Sequence, residues 1–119
     1  MPEVIDLSAK FAMFSEHWRP KIVAELNDSY VKLAKLHGEF VWHSHVHEDE
    51  LFLVVHGALT IKLRDRDLLL HPGQLVIIPK GVEHMPVAAG EVHVLLLEPK
   101  SAVNTGGLQD ERTVEAEWL

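Results

Sequence analysis

His43-Ser44-His45-Val46-His47-Glu48-Asp49-Glu50-Leu51-Phe52-Leu53-Val54-Val55-His56-Gly57 is the stretch on which the reading of the fold turns. On a β-strand, residues two apart share a face and lie about 6.6 Å from one another. His43 and His45 therefore present two imidazoles to one side, while Trp42 and Ser44 face the other. After Asp49 the chain must turn back. Glu50 then opens an apolar run, Leu51–Val55, that ends at His56-Gly57. An ionised Glu at the edge of such a run is costly to bury unless it is paired or bound to a metal.

Short extended segments continue outward in both directions. Upstream, Lys21–Leu26 alternates apolar and polar residues, Asn27-Asp28 supplies a turn, and Tyr30–Leu36 follows. Gly38 breaks that run, and Phe40–His45 reads as another strand. Downstream come Leu59–Leu63, the tight turn Asp65-Arg66, Leu68–Leu70, the Pro72-Gly73 break and Gln74–Ile78. The turn Pro79-Lys80-Gly81 leads to His84–Val87, Ala88-Ala89-Gly90 reads as a turn, and Val92–Glu98 closes the series. Nine or ten strands at a spacing of about 8–12 residues predict an all-β antiparallel sandwich or barrel. After residue 20 no helical apolar period is sustained, so alternating strand–helix units are not expected. Residues 1–20 form a lead-in, with Ser8 expected to cap a short helix reaching Phe14. Pro20 resets the chain to extended structure. The expected organisation is one domain over 1–119, with a barrel core over about 21–100. The tail, 101–119, is expected to be extended and to lie on the barrel or on a second subunit.

Composition narrows the classes of function. The chain has 119 residues, 11 Lys+Arg, 18 Asp+Glu and no cysteine, for a formal net charge of −7. Without cysteine there is no disulfide, thiolate zinc site or iron–sulfur cluster. The acidic balance speaks against a nucleic-acid partner. No apolar run approaches the ~18 residues of a membrane-spanning helix. Glu3 and Asp6 stand where a secretory signal would carry positive charge, so the expected location is the cytoplasm.

Nine histidines are an unusual share for so short a chain, and four of them fall between His43 and His56. The Pro79-Lys80-Gly81 turn would return His84 to the barrel end that carries His43 and His45. With Glu50, these make a set of three nitrogens and one oxygen suited to a divalent transition metal, whether Fe, Mn, Ni, Zn or Cu. His47 shares the parity of His43 and His45, but i and i+4 on a strand lie about 13 Å apart, which assigns it to the loop or rim. His56 shares parity with Glu50, so it either lines the cavity as an acid or base or serves as a structural histidine; His93 also lies on a strand. His17, His37 and His71 border turns and read as surface residues. Phe40 and Trp42 read as packing residues, and Tyr30 either packs in the core or lends a phenol to the pocket.

His43-x-His45-x4-Glu50-x6-Gly57 resembles the first motif of the cupins, and Gly73-x5-Pro79-x-Gly81-x2-His84 resembles the second. The resemblance implies a double-stranded β-helix, or jelly roll, with His43, His45, Glu50 and His84 converging in the barrel mouth. It also implies frequent dimers. Two positions depart from the pattern: Gly38 stands one residue closer to His43 than usual, and Ala88 replaces a polar residue. An octahedral metal held by this set would keep two positions for substrate, water or dioxygen. The function implied is that of a metal-binding cupin that binds or converts a small polar organic molecule, of oxygenase or isomerase type. The alternative is a non-catalytic binding or sensor cupin without metal. Leu68-Leu69-Leu70 and Leu95-Leu96-Leu97 must each turn some leucines outward, which predicts a homodimer.

Overall fold

The computed structural model describes residues 2–119. Alternation of burial along the strands builds the architecture. In β7 (His84–Pro99), His84, Pro86, Ala88, Val92, Val94, Leu96 and Glu98 point inward, and the intervening residues point outward or lie at the bend. The other strands are β1 (Lys21–Leu26), β2 (Ser29–Glu39), β3 (Glu50–His56), β4 (Leu59–Leu63), β5 (Asp67–Leu70), β6 (Leu75–Ile78) and β8 (Glu117–Trp118). They pair in the order β5-β4-β7-β2-β1-β8, with β3 bonded to both β6 and β7. This is the expected all-β jelly roll.

β7 organises the barrel. Its first part pairs with β4, Leu63 opposite His84 and Thr60 opposite Val87. Its second part pairs with β3, Leu51 opposite Leu97, and β2 runs along its other flank from Ser29–Pro99 to Glu39–Val87. The interior is filled by Leu36, Phe52, Val54, Leu59, Ile61, Val92, Val94 and Leu96, among others. A second cluster outside the barrel joins Phe11 and Phe14 of the lead-in to Leu33, with Leu95 and Leu119 against it.

Four local expectations are corrected. Ala88-Ala89-Gly90 is no turn: the residues lie within β7, where the register against β2 shifts between the Leu36–Val92 and Gly38–Ala88 pairs. Phe40–His45 forms no full strand; it is irregular and meets β7 through the His43–His84 bridge and through Phe40 N–H donating to the Pro86 carbonyl at 3.0 Å. Gly38 does not end its strand but sits within β2 at φ +83°, next to a bulge at Leu36/Gly38. The N-terminal helix, α1 (Leu7–Phe11), is capped by Asp6, not Ser8, through Oδ1 accepting from Ala9 N–H at 3.4 Å. Among the described residues eight strands result, one of them, β8, in the tail. That tail packs on its own barrel, where Ile22 pairs in parallel with Trp118.

Candidate metal centre

Three segments bring the four candidate ligands together. His43 and His45 lie on the irregular 40–45 segment, Glu50 begins β3, and His84 begins β7. The His43–His84 bridge is doubled, each amide donating to the other's carbonyl at 3.0 and 2.9 Å. Gly81 N–H also donates to the His45 carbonyl at 2.7 Å, tying the 79–83 turn to the same segment. All four side chains are buried, His84 completely.

The ring nitrogens are sorted by the backbone. His43 Nδ1 lies 2.9 Å from the Val41 carbonyl, and His84 Nδ1 lies 2.9 Å from the Val82 carbonyl. A carbonyl only accepts, so each Nδ1 carries the hydrogen and each Nε2 keeps its lone pair. His45 has no such carbonyl. Its Nε2 lies 3.4 Å from Glu50 Oε1, and its Nδ1 lies 3.9 Å from Glu48 Oε1. Ser101 donates to the other Glu48 oxygen at 2.8 Å, so the tail steadies that carboxylate. His84 Nε2 is 3.5 Å from Glu50 Oε1.

Ligand atoms about 2.1 Å from a shared ion lie roughly 3 to 4 Å from one another. Here one ligand atom from each of His43, His45, Glu50 and His84 falls within 4.8 Å of all the others, and the cluster could hold a metal ion. Both nitrogens of His45, Oε1 of Glu50 and Nε2 of His84 are buried without a hydrogen-bond partner. Orphaned buried polar atoms are expensive, and a cation at their centre would satisfy the atoms that converge there. The electrostatics point the same way. Burial, and then the neighbouring His84, lower the His43 pKa to about 4, keeping it a neutral donor at neutral pH. Burial alone would raise Glu50, but contacts with His45, His84 and Glu98 outweigh it and hold Glu50 well below the carboxylate range.

The remaining histidines lie elsewhere. His47 is exposed at the rim, and His17, His37 and His71 are on the surface. His56 does not line the cavity. The register shifts between Val54 and His56, turning His56 outward beside His93 with ring centroids 4.9 Å apart. Phe40 is buried and stacks on Trp18 at 4.7 Å, as a packing residue should. Trp42 is half-buried under the Arg64 guanidinium, 3.7 Å away. Tyr30 meets Trp118 of the tail edge-on rather than entering the core.

The sequence reading missed Lys32 and Glu98, which form a buried pair with Nζ donating to Oε1 at 2.9 Å. Glu98 lines a cavity of about 40 Å³ together with His43 and Glu50. Burial, and then the Glu50 charge, push the Glu98 pKa well up against the pull of Lys32. A parity signal was present: Lys32 shares its face with Ala34 and Leu36, and Glu98 shares its face with Val94 and Leu96.

A jelly roll with three histidines and a glutamate gathered inside it defines a class of barrel, and comparison with known proteins gives the family. The cupin domain family matches residues 29–98. This chain belongs to the cupin family. The uncharacterized protein YdbB of Bacillus subtilis is 37% identical over 81 residues, 67% of this chain and 72% of that protein. The crystal structure of a cupin-2 domain containing protein from Shewanella frigidimarina is 47% identical with a TM-score of 0.80, over 81% of this chain and 94% of that one. Protein NMB1881 from Neisseria meningitidis is 28% identical with a TM-score of 0.75, over 82% and 99%.

Proposed function

We propose that His43, His45, Glu50 and His84 hold one divalent transition metal, and that the cavity beside them binds or converts a small polar organic molecule. The observation that carries this reading is the convergence of buried, unpartnered ligand atoms on one point. When bound, such a metal polarises an oxygen of the molecule it meets, or activates dioxygen if it is redox-active. The chain's own residues do the rest. Val41 and Val82 fix two imidazoles in the tautomer that offers Nε2, Glu50 supplies negative charge, and Phe40, Phe52 and Leu96 exclude water.

Metal content of the tag-free protein, before and after reconstitution, tests the proposal. One equivalent per chain is expected, with loss on His84→Ala in a chain that keeps its far-ultraviolet circular dichroism. Absence of any transition metal after growth in supplemented medium, with none taken up on reconstitution, would overturn it. Turnover of candidate substrates by the loaded protein then separates an enzyme from a binding or sensor protein.

We also propose a homodimer. Leu69, Leu75 and Ile77 are 60%, 56% and 54% exposed, and Leu69 and Leu75 border one groove between β5 and β6. A second copy presenting the same strip would cover them.

A further inference from the structure

Of the five buried side-chain atoms without a partner among the described residues, four belong to His45, Glu50 and His84. The fifth is Oε2 of Glu98. Glu98 is 2% exposed, its Oε1 is taken by Lys32, and it lines the same cavity as His43 and Glu50. Most of the wall is apolar, including Trp18, Leu36, Phe40, Phe52 and Leu96. Asn104, the other polar lining residue, is already committed: Nδ2 donates to the Arg112 carbonyl at 2.8 Å, and Oδ1 accepts from Val114 N–H at 3.0 Å. A molecule entering the cavity thus meets one side-chain oxygen beyond the metal set that lacks a hydrogen-bond partner, Oε2 of Glu98, on the same wall as Glu50.

The chemistry of that carboxyl selects its partner. A ligand carboxylate would require Glu98 to be protonated, and an ammonium would require it to be ionised. A hydroxyl both donates and accepts, so it pairs with Glu98 in either protonation state. We propose that Glu98 is a specificity-determining residue that receives a ligand hydroxyl. The cavity then selects compact hydroxy-carbonyl compounds, whose hydroxyl faces Glu98 while a neighbouring oxygen faces the metal. The small room available favours molecules of a few heavy atoms. This inference rests on the metal reading above.

The test uses Co2+-loaded full-length chain titrated with hydroxyacetone and with its methyl ether, methoxyacetone, followed by visible absorption and chemical-shift changes. A site built to pair a hydroxyl rejects the analogue that lacks it, so hydroxyacetone binds at least about tenfold tighter. Lys32→Met/Glu98→Met removes the buried pair without stranding either charge. It keeps one Co2+ per chain and loses the preference. Lys32→Met/Glu98→Gln retains an amide able to face a hydroxyl and keeps the preference. Equal binding of the two probes by the wild-type chain, or a preference that survives the Met/Met replacement, overturns the proposal. Weaker Co2+ binding with an unchanged preference makes Glu98 a support for Glu50 instead, and overturns it as well. A wild-type chain that takes up no Co2+ defeats the metal reading and this one with it, whereas one equivalent of Co2+ without preference defeats this one alone.

Discussion

His43 illustrates how burial fits a side chain for ligation. Its pKa falls from 6.5 to about 4 in the folded chain, with burial as the leading cause. Between those values the unfolded chain binds more protons, so the stability of the metal-free protein rises with pH across that window. The contribution is complete above about pH 6.5 and is lost as the pH falls toward 4, amounting to about 3 kcal/mol at most. Thermal unfolding of metal-free protein between pH 4 and 7 should show this slope, and His43→Gln should flatten it. The four candidate ligands were legible because spacing and strand parity mark them. Lys32 and Glu98 were not, because their inward parity gains meaning only once β2 and β7 are known to be neighbours. Breaking that pair by Lys32→Ala leaves Glu98 buried without its ion-pair partner and should cost about 3–5 kcal/mol by urea denaturation, whereas Lys32→Met/Glu98→Met should be near neutral.

Among the elements, the tight ends of strands carry the strongest constraints. Gly57 closes β3 at φ +80°, and a Cβ there would lie 2.6 Å from the Glu91 carbonyl oxygen. Gly57→Ala should therefore cost more than the about 1–3 kcal/mol of backbone strain alone. Gly38 has a similar φ, +83°, but nothing within 4 Å of an added Cβ, so Gly38→Ala should cost only the strain. Equal losses for the two variants in urea denaturation would contradict this distinction. Strand content was readable from alternation, but strand continuity was not. Ala88-Ala89-Gly90 carries the composition of a turn and the position of a bend within β7. Conversely, Phe40–His45 has the alternation of a strand, yet only the His43 bridge and the Phe40 amide join it to β7.

At the scale of the whole molecule, the lead-in and the tail both fasten to the barrel. Buried Lys21 reaches Glu16 at 3.3 Å and Glu117 at 3.9 Å, joining the two ends of the chain at β1. This tie was not legible, since it depends on the parallel pairing of β8 with β1. The outward leucine strip was legible in part: Leu69 is exposed as the triplet Leu68–Leu70 requires, whereas Leu95 packs against the Phe11 and Phe14 cluster. Light scattering coupled to size exclusion should report twice the 13.4 kDa chain mass. Leu75→Lys/Ile77→Lys should return the chain to a monomer that still binds metal. A wild-type monomer at micromolar concentration would refute the dimer.

β7 carries His84 at one end and Glu98 at the other, and it is laddered on both flanks. Breathing of that strand would have to sever two neighbouring ladders at once, whereas the rim formed by residues 40–49 and 79–83 is held by a few backbone hydrogen bonds. Amide exchange should accordingly be slow along β7 whether the chain is loaded or stripped, with the two forms diverging only at the rim.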